Sequence, residues 1–150
     1  GSNPPLISFI MRPDSVERHT LSNILDTGSY TINHLNTSIY KQAHQTSARY
    51  PKEASEFDAT GLSTEYKFNC KVPFVEESNI QLEMEFKQRI DLAINNTIMI
   101  IGEIKNIYIP EDCMQEDGFL DIEKAGTVTC SGLDSYHLTN SLARLPYAKV

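Results

Sequence analysis

The chain has 150 residues, about the size of one domain, and its 40% apolar and 22% charged content excludes a disordered, collagen-like or low-complexity polypeptide. No run of about 18 apolar residues occurs and no basic-then-apolar secretion signal opens the chain, so neither a membrane-spanning helix nor export is expected. A net charge of −7, from 13 Lys+Arg against 20 Asp+Glu, disfavours nucleic acid and anionic membranes as partners.

Leu6 to Met11 is a short apolar run behind Pro4-Pro5 and predicts a buried strand, which Arg12-Pro13 stops because proline offers no N–H to a sheet. Asp14 or Ser15 can cap a following helix in which Val16, Thr20, Leu21, Ile24 and Leu25 recur at helical spacing, and Gly28 supplies a left-handed stop. Ser29 to Asn33 reads as a strand, residues 37–46 as a polar helix, and residues 53–60 as a further helical turn. Ile80, Leu82, Met84 and Phe86 then alternate with Gln81, Glu83, Glu85 and Lys87, the period of a strand with one wet face. Asn95-Asn96 offers a tight turn into a second long strand, Thr97 to Ile109. Its start, Ile98 to Ile101, is apolar on both faces, which predicts burial in a barrel or against a second subunit. Pro110 to Gly118 is an acidic loop, residues 127–130 a last short strand, and Gly132 to Arg144 a mixed turn and helix. The expected class is mainly β with a few helices, as a single domain over residues 1–150.

Cys70, Cys113 and Cys130 are odd in number and far apart, so no disulfide framework or zinc site is expected, and a reducing, cytoplasmic compartment fits. The triplets Asn36-Thr37-Ser38 and Asn95-Asn96-Thr97 are most simply chance matches to a glycosylation signal. Dinucleotide fingerprints, phosphate-binding loops, hydrolase elbows and zinc-protease motifs are absent from the sequence. Charge is uneven: residues 1–52 hold five basic side chains (Arg12, Arg18, Lys41, Arg49, Lys52) and three acidic ones, net +2, which leaves −9 for the remainder. A basic first third suits one small anionic ligand, although chance scatter gives the same tally. Within it, Arg12, Arg18, His19 and Thr20, with Asn23 a turn later, cluster where a strand hands over to a helix, a setting that favours phosphate. The competing reading pairs Arg18 with Asp14 or Glu17 on the helix surface while His19 packs.

Asn3-Pro4-Pro5-Leu6-Ile7-Ser8-Phe9-Ile10, Arg12-Pro13, Arg18-His19-Thr20, Asn23-Ile24 and Gly28 to Asn33 together resemble the flavin reductase-like family of FMN-binding split barrels and NAD(P)H:flavin oxidoreductases. Ala43-His44, Thr46-Ser47-Ala48, Ser55-Glu56-Phe57, Gly61-Leu62, Pro73-Phe74-Val75, Gly118 to Asp121, Ser131-Gly132-Leu133 with Tyr136 and Pro146-Tyr147-Ala148 continue the resemblance in order. It implies an FMN-binding split β-barrel whose opening strands precede Asn3 and are not among these residues, so the barrel is expected to be incomplete at its N-terminus. It also implies a homodimer with FMN (FAD as the alternative) as cofactor and NAD(P)H as co-substrate. By resemblance, Arg12, Arg18, His19 and Thr20 approach the flavin phosphate and ribityl chain, and Tyr136 is an aromatic near the flavin. The implied activity is NAD(P)H-dependent flavin reduction or electron transfer from flavin. The alternatives are a non-catalytic flavin carrier, or a dimeric protein that has lost flavin.

Overall fold

The computed structural model describes residues 3–13 and 19–149. Strand β1 (Leu6–Met11) forms as expected, with Ile7, Phe9 and Met11 half-buried and Leu6, Ser8 and Ile10 exposed. Helix α1 (His19–Thr27) buries Leu21 and Ile24, three residues apart on one face. It ends at Gly28, whose φ of 68° is the left-handed conformation that a side chain resists. The proposed caps Asp14 and Ser15, with Val16 and Arg18, lie outside the described residues. Strand β2 (Ser29–Asn33) follows with the predicted limits.

The polar helix is shorter than the 37–46 expected: α2 spans Tyr40–Gln45. The reason is Asn36, which is buried and directs a turn, accepting from the Ser38 amide at 2.9 Å and the Ser38 hydroxyl at 2.6 Å while donating to Glu77 O at 2.8 Å. Helix α3 (Glu56–Thr60) starts at Ser55, whose side chain accepts from the Asp58 amide, and stops at Gly61. Two short strands not foreseen, β3 (Thr64–Glu65) and β4 (Phe74–Val75), pair as a hairpin.

The long strands β5 (Gln81–Leu92) and β6 (Thr97–Tyr108) dominate the molecule. Asn96 takes a φ of 58° in the turn between them, and Asn95 Oδ1 accepts from both the amide and the hydroxyl of Thr97. An antiparallel sheet in the order β1-β6-β5-β2 results, with Leu6 opposite Glu103 and Ser29 opposite Glu85. On one side of it Leu21, Ile24, Tyr30, Leu82, Met84, Ile98 and Ile100 form the core, closed by Cys113 and Ala125 from the loop after β6. Ile98 and Ile100 are buried, whereas Met99 and Ile101 are only half-buried on the other face. The described strands make this sheet and two hairpins, without barrel closure.

Residues 132–144 hold no helix. After β7 (Val128–Ser131), Gly132 turns the chain at a φ of 64° into β8 (Ser135–Leu138), which pairs back on β7, and residues 139–149 carry no regular structure. The helical expectation failed because the pattern here is a two-residue alternation only four residues long.

Candidate anion-binding cleft

A cleft of about 510 Å³ opens where β1 ends. One wall is Met11 and Arg12 from the strand end together with His19 and Thr20 from α1; the other is the stretch Thr46 to Lys52 that leaves α2. Arg12 and Thr20 are exposed and His19 is half-buried. Three of the four sequence-derived phosphate residues that are described thus reach one space, while the fourth position, Arg18, falls outside the described residues. Asn23 does not line the cleft.

Turn bonds order the second wall. The Thr46 hydroxyl donates to Ala43 O at 2.7 Å, the Ser47 hydroxyl to His44 O at 2.7 Å, and the Ala48 amide to Gln45 O at 3.1 Å. Tyr50 is pinned by Gln45, whose Nε2 donates to the phenol oxygen at 3.2 Å. Arg12, Arg49 and Lys52 line the cleft, with Glu56 as the one acidic residue among the described residues. Among the described residues, neither Arg12 nor Arg49 has an ion pair or a hydrogen bond through its side chain. The competing reading, which pairs Arg18 with Asp14 or Glu17, lies outside the described residues. Two guanidiniums, an imidazole and the Thr20 hydroxyl are a donor set that fits a phosphate group.

Arg49, Tyr50 and Lys52 were not singled out by sequence reasoning. The net +2 of residues 1–52 was the signal, but it did not say which cations meet. A second hollow of about 360 Å³ adjoins the cleft through Thr46 and Glu56, lined mostly by apolar side chains including Leu35, Ile39, Phe57, Leu62 and Val75.

Tyr136 stands elsewhere. It is half-buried on β8, its phenol 3.0 Å from His44 Nδ1 and its ring 5.5 Å from that of Tyr40. Burial, with Cys130 and Asp134 nearby, pushes its phenol pKa up. It borders a separate hollow of about 250 Å³ with Thr37 and His137, so the structure does not bring it to Arg12, His19 and Thr20. Among the described residues no group of three or more His, Cys, Asp or Glu is placed to hold a metal ion, and no helix is long and apolar enough to cross a membrane.

The fold has known counterparts. The chain is 52% identical, with a TM-score of 0.94, to a split-barrel-domain protein of Shewanella frigidimarina NCIMB 400 designated a flavin reductase; the match covers 99% of this chain and 73% of that one. Flavoredoxin of Desulfovibrio vulgaris (Miyazaki F) superposes with a TM-score of 0.82 at 22% identity, over 98% of this chain and 76% of that one, a likeness of fold. An uncharacterised protein of Aquifex aeolicus (strain VF5) is 25% identical over 126 residues, which are 83% of this chain and 63% of that protein. The chain spans 52–63% of the length of the curated relatives it matches. The fold is thus that of the split-barrel flavin reductases, mainly β with few helices. The family model described as Flavin reductase like domain matches residues 1–125, and the chain belongs to that family.

Proposed function

We propose that this chain is a flavin-binding oxidoreductase domain that holds FMN by its phosphate and works with NADH or NADPH. The observation carrying this reading is the cationic cleft at the end of β1, in a chain of net charge −7 that matches a flavin reductase family. Bound flavin supplies a ring that takes hydride from a nicotinamide and passes electrons onward. The protein's own part is then binding and orientation. The Arg12 guanidinium neutralises phosphate charge with a planar pair of N–H donors, and Thr20 adds a hydroxyl donor. His19 contributes a ring N–H at the half-buried side of the same wall. Arg18 takes the same role by resemblance. A catalytic triad or metal has no part in this scheme, which agrees with the sequence motifs.

The test is anaerobic mixing of the FMN-loaded chain with NADH and, separately, NADPH, following the flavin's visible absorbance. Bleaching faster than that of free FMN under the same conditions is expected for at least one nicotinamide. Bleaching no faster than free FMN with either contradicts the reductase reading.

A further inference from the structure

We infer that Tyr136 is a positioning residue for the anion cleft: through His44 it holds the last turn of α2, and with it the turn that carries Arg49. This rests on the flavin reading above. Helix α2 cannot fix itself. It has six residues and no buried side chain, far short of the roughly 12–15 residues at which an isolated helix is even marginal in water. Its start is secured from outside: Ile39, just before it, is buried, and the amides of Ile39 and Tyr40 donate to Asn36 O at 3.3 and 3.2 Å. Its end meets β8. The Tyr136 phenol lies 3.0 Å from His44 Nδ1, and its ring stands edge-on to the imidazole at 5.8 Å and 5.5 Å from the Tyr40 ring. Either tautomer serves, the bare nitrogen accepting from the phenol or its N–H donating to it.

The hairpin that carries Tyr136 is itself anchored. At the root of β7 the Val128 amide donates to Leu35 O at 2.9 Å, and Thr127 bridges Asn36. Tyr136 thus ties the far end of α2 to the same Leu35–Asn36 stretch that holds its beginning. What His44 holds leads into the cleft. Its carbonyl accepts from the Ser47 amide at 3.1 Å and the Ser47 hydroxyl at 2.7 Å, and the Ala48 amide donates to Gln45 O at 3.1 Å. Arg49 follows that turn and lines the wall across from Arg12. A guanidinium reads phosphate through a rigid planar fork, so its contribution depends on where its backbone is held. Loosening His44 displaces Arg49, while His19 and Thr20, on α1, keep their places.

Two measurements on the full chain, Tyr136→Phe, His44→Leu and the double variant test this, with circular dichroism checking that each folds. In the flavin-free proteins, NMR hydrogen exchange of the Ser47 and Ala48 amides is expected to be about threefold faster or more in Tyr136→Phe, with the amides of β5 unchanged. Fluorescence titrations then compare FMN with riboflavin, which lacks the phosphate. FMN affinity is expected to fall about three- to tenfold in each single variant, and riboflavin affinity by less than about 1.5-fold. The double variant is expected to fall no further than either single one, because the same path is cut twice. Unchanged exchange, unchanged FMN affinity or an equal loss for both flavins overturns the proposal. A double loss equal to the product of the single ones also overturns it, since Tyr136 would then act on the ligand without His44. Failure of the unaltered chain to bind FMN, with the exchange responding as expected, defeats the flavin reading and leaves the positioning role standing.

Discussion

Tyr30 is buried at 8% exposure with a hydroxyl that finds no hydrogen-bond partner among the described residues. Its ring meets Phe9 edge-on at 5.7 Å, and a Cβ built on Gly102 would overlap its hydroxyl. The glycine in β6 is therefore the space that the tyrosine occupies. Burial without a partner also pushes the phenol pKa up. Removing an unsatisfied hydroxyl should help, so Tyr30→Phe is expected to raise stability by about 1 kcal/mol. Gly102→Ala is expected to lower it by about 1–3 kcal/mol through overpacking, with part of the loss recovered in the Tyr30→Phe background. Urea unfolding of the four proteins checks this, and an undisturbed Gly102→Ala would show that the tyrosine moves aside. Gly102 was visible in the sequence, but its reason was not, because Tyr30 lies two strands away in the sheet. Arg49 was counted among the basic residues of the first third, but that it shares a cleft with Arg12 was hidden for the same cause. Arg12, His19 and Thr20 stand close in sequence and could be grouped by spacing, whereas the opposite wall reaches them only through the fold.

At the scale of elements, alternation located β5 because Ile80, Leu82 and Met84 do face the core. It could not show where the register breaks. Between Glu83/Met84 and Phe86/Gln88 the pairing with β6 shifts, placing Lys105 and Lys87 as the extra residues. Glu85 and Glu103 sit directly opposite each other, a repulsive pair on its own. Lys87 bridges both at 2.9 Å and Lys105 both at 3.2 Å, which holds the two carboxyls below their usual pKa and raises both lysines. The shifts thus gather two cations around two anions.

His34, just past β2, supplies the pH dependence at this scale. Its amide donates to Ile80 O at 2.9 Å, its Nδ1 lies 3.4 Å from Thr127 Oγ1, and burial lowers its pKa below 6.5. The folded state holds it neutral, so as pH falls through 6.5 the unfolded chain takes up the proton first. Stability is accordingly full above that pH and is lost as pH falls toward the lower folded pKa. Urea midpoints measured between about pH 7.5 and pH 5, above the range where carboxylates protonate, are expected to decline, and to decline less in His34→Gln. Equal slopes for the two proteins would remove His34 as the cause.

For the whole molecule, β1, α1, β2, β5 and β6 were readable because apolar period, proline and glycine stops agree along those stretches, and β7 was anticipated at residues 127–130. The hairpin β3–β4 and strand β8 were not, since strands of two to four residues leave too few alternations to recognise. The candidate site divides the same way: the family resemblance and the +2 charge of residues 1–52 pointed to a phosphate, and the fold showed two walls rather than one. Tyr136, placed near the flavin by resemblance, packs with Tyr40 and His44. The molecule concentrates positive charge in a cleft between β1, α1 and the exit of α2 while the rest of the chain is acidic. The most direct measurement is a titration of the full chain and of Arg12→Ala with FMN, read by quenching of flavin fluorescence. Saturable binding by the unaltered chain is expected, weakened by about 1–2 kcal/mol, roughly five- to thirtyfold, in Arg12→Ala. Absence of saturable binding, or equal affinity in the two proteins, would contradict a phosphate grip at the end of β1.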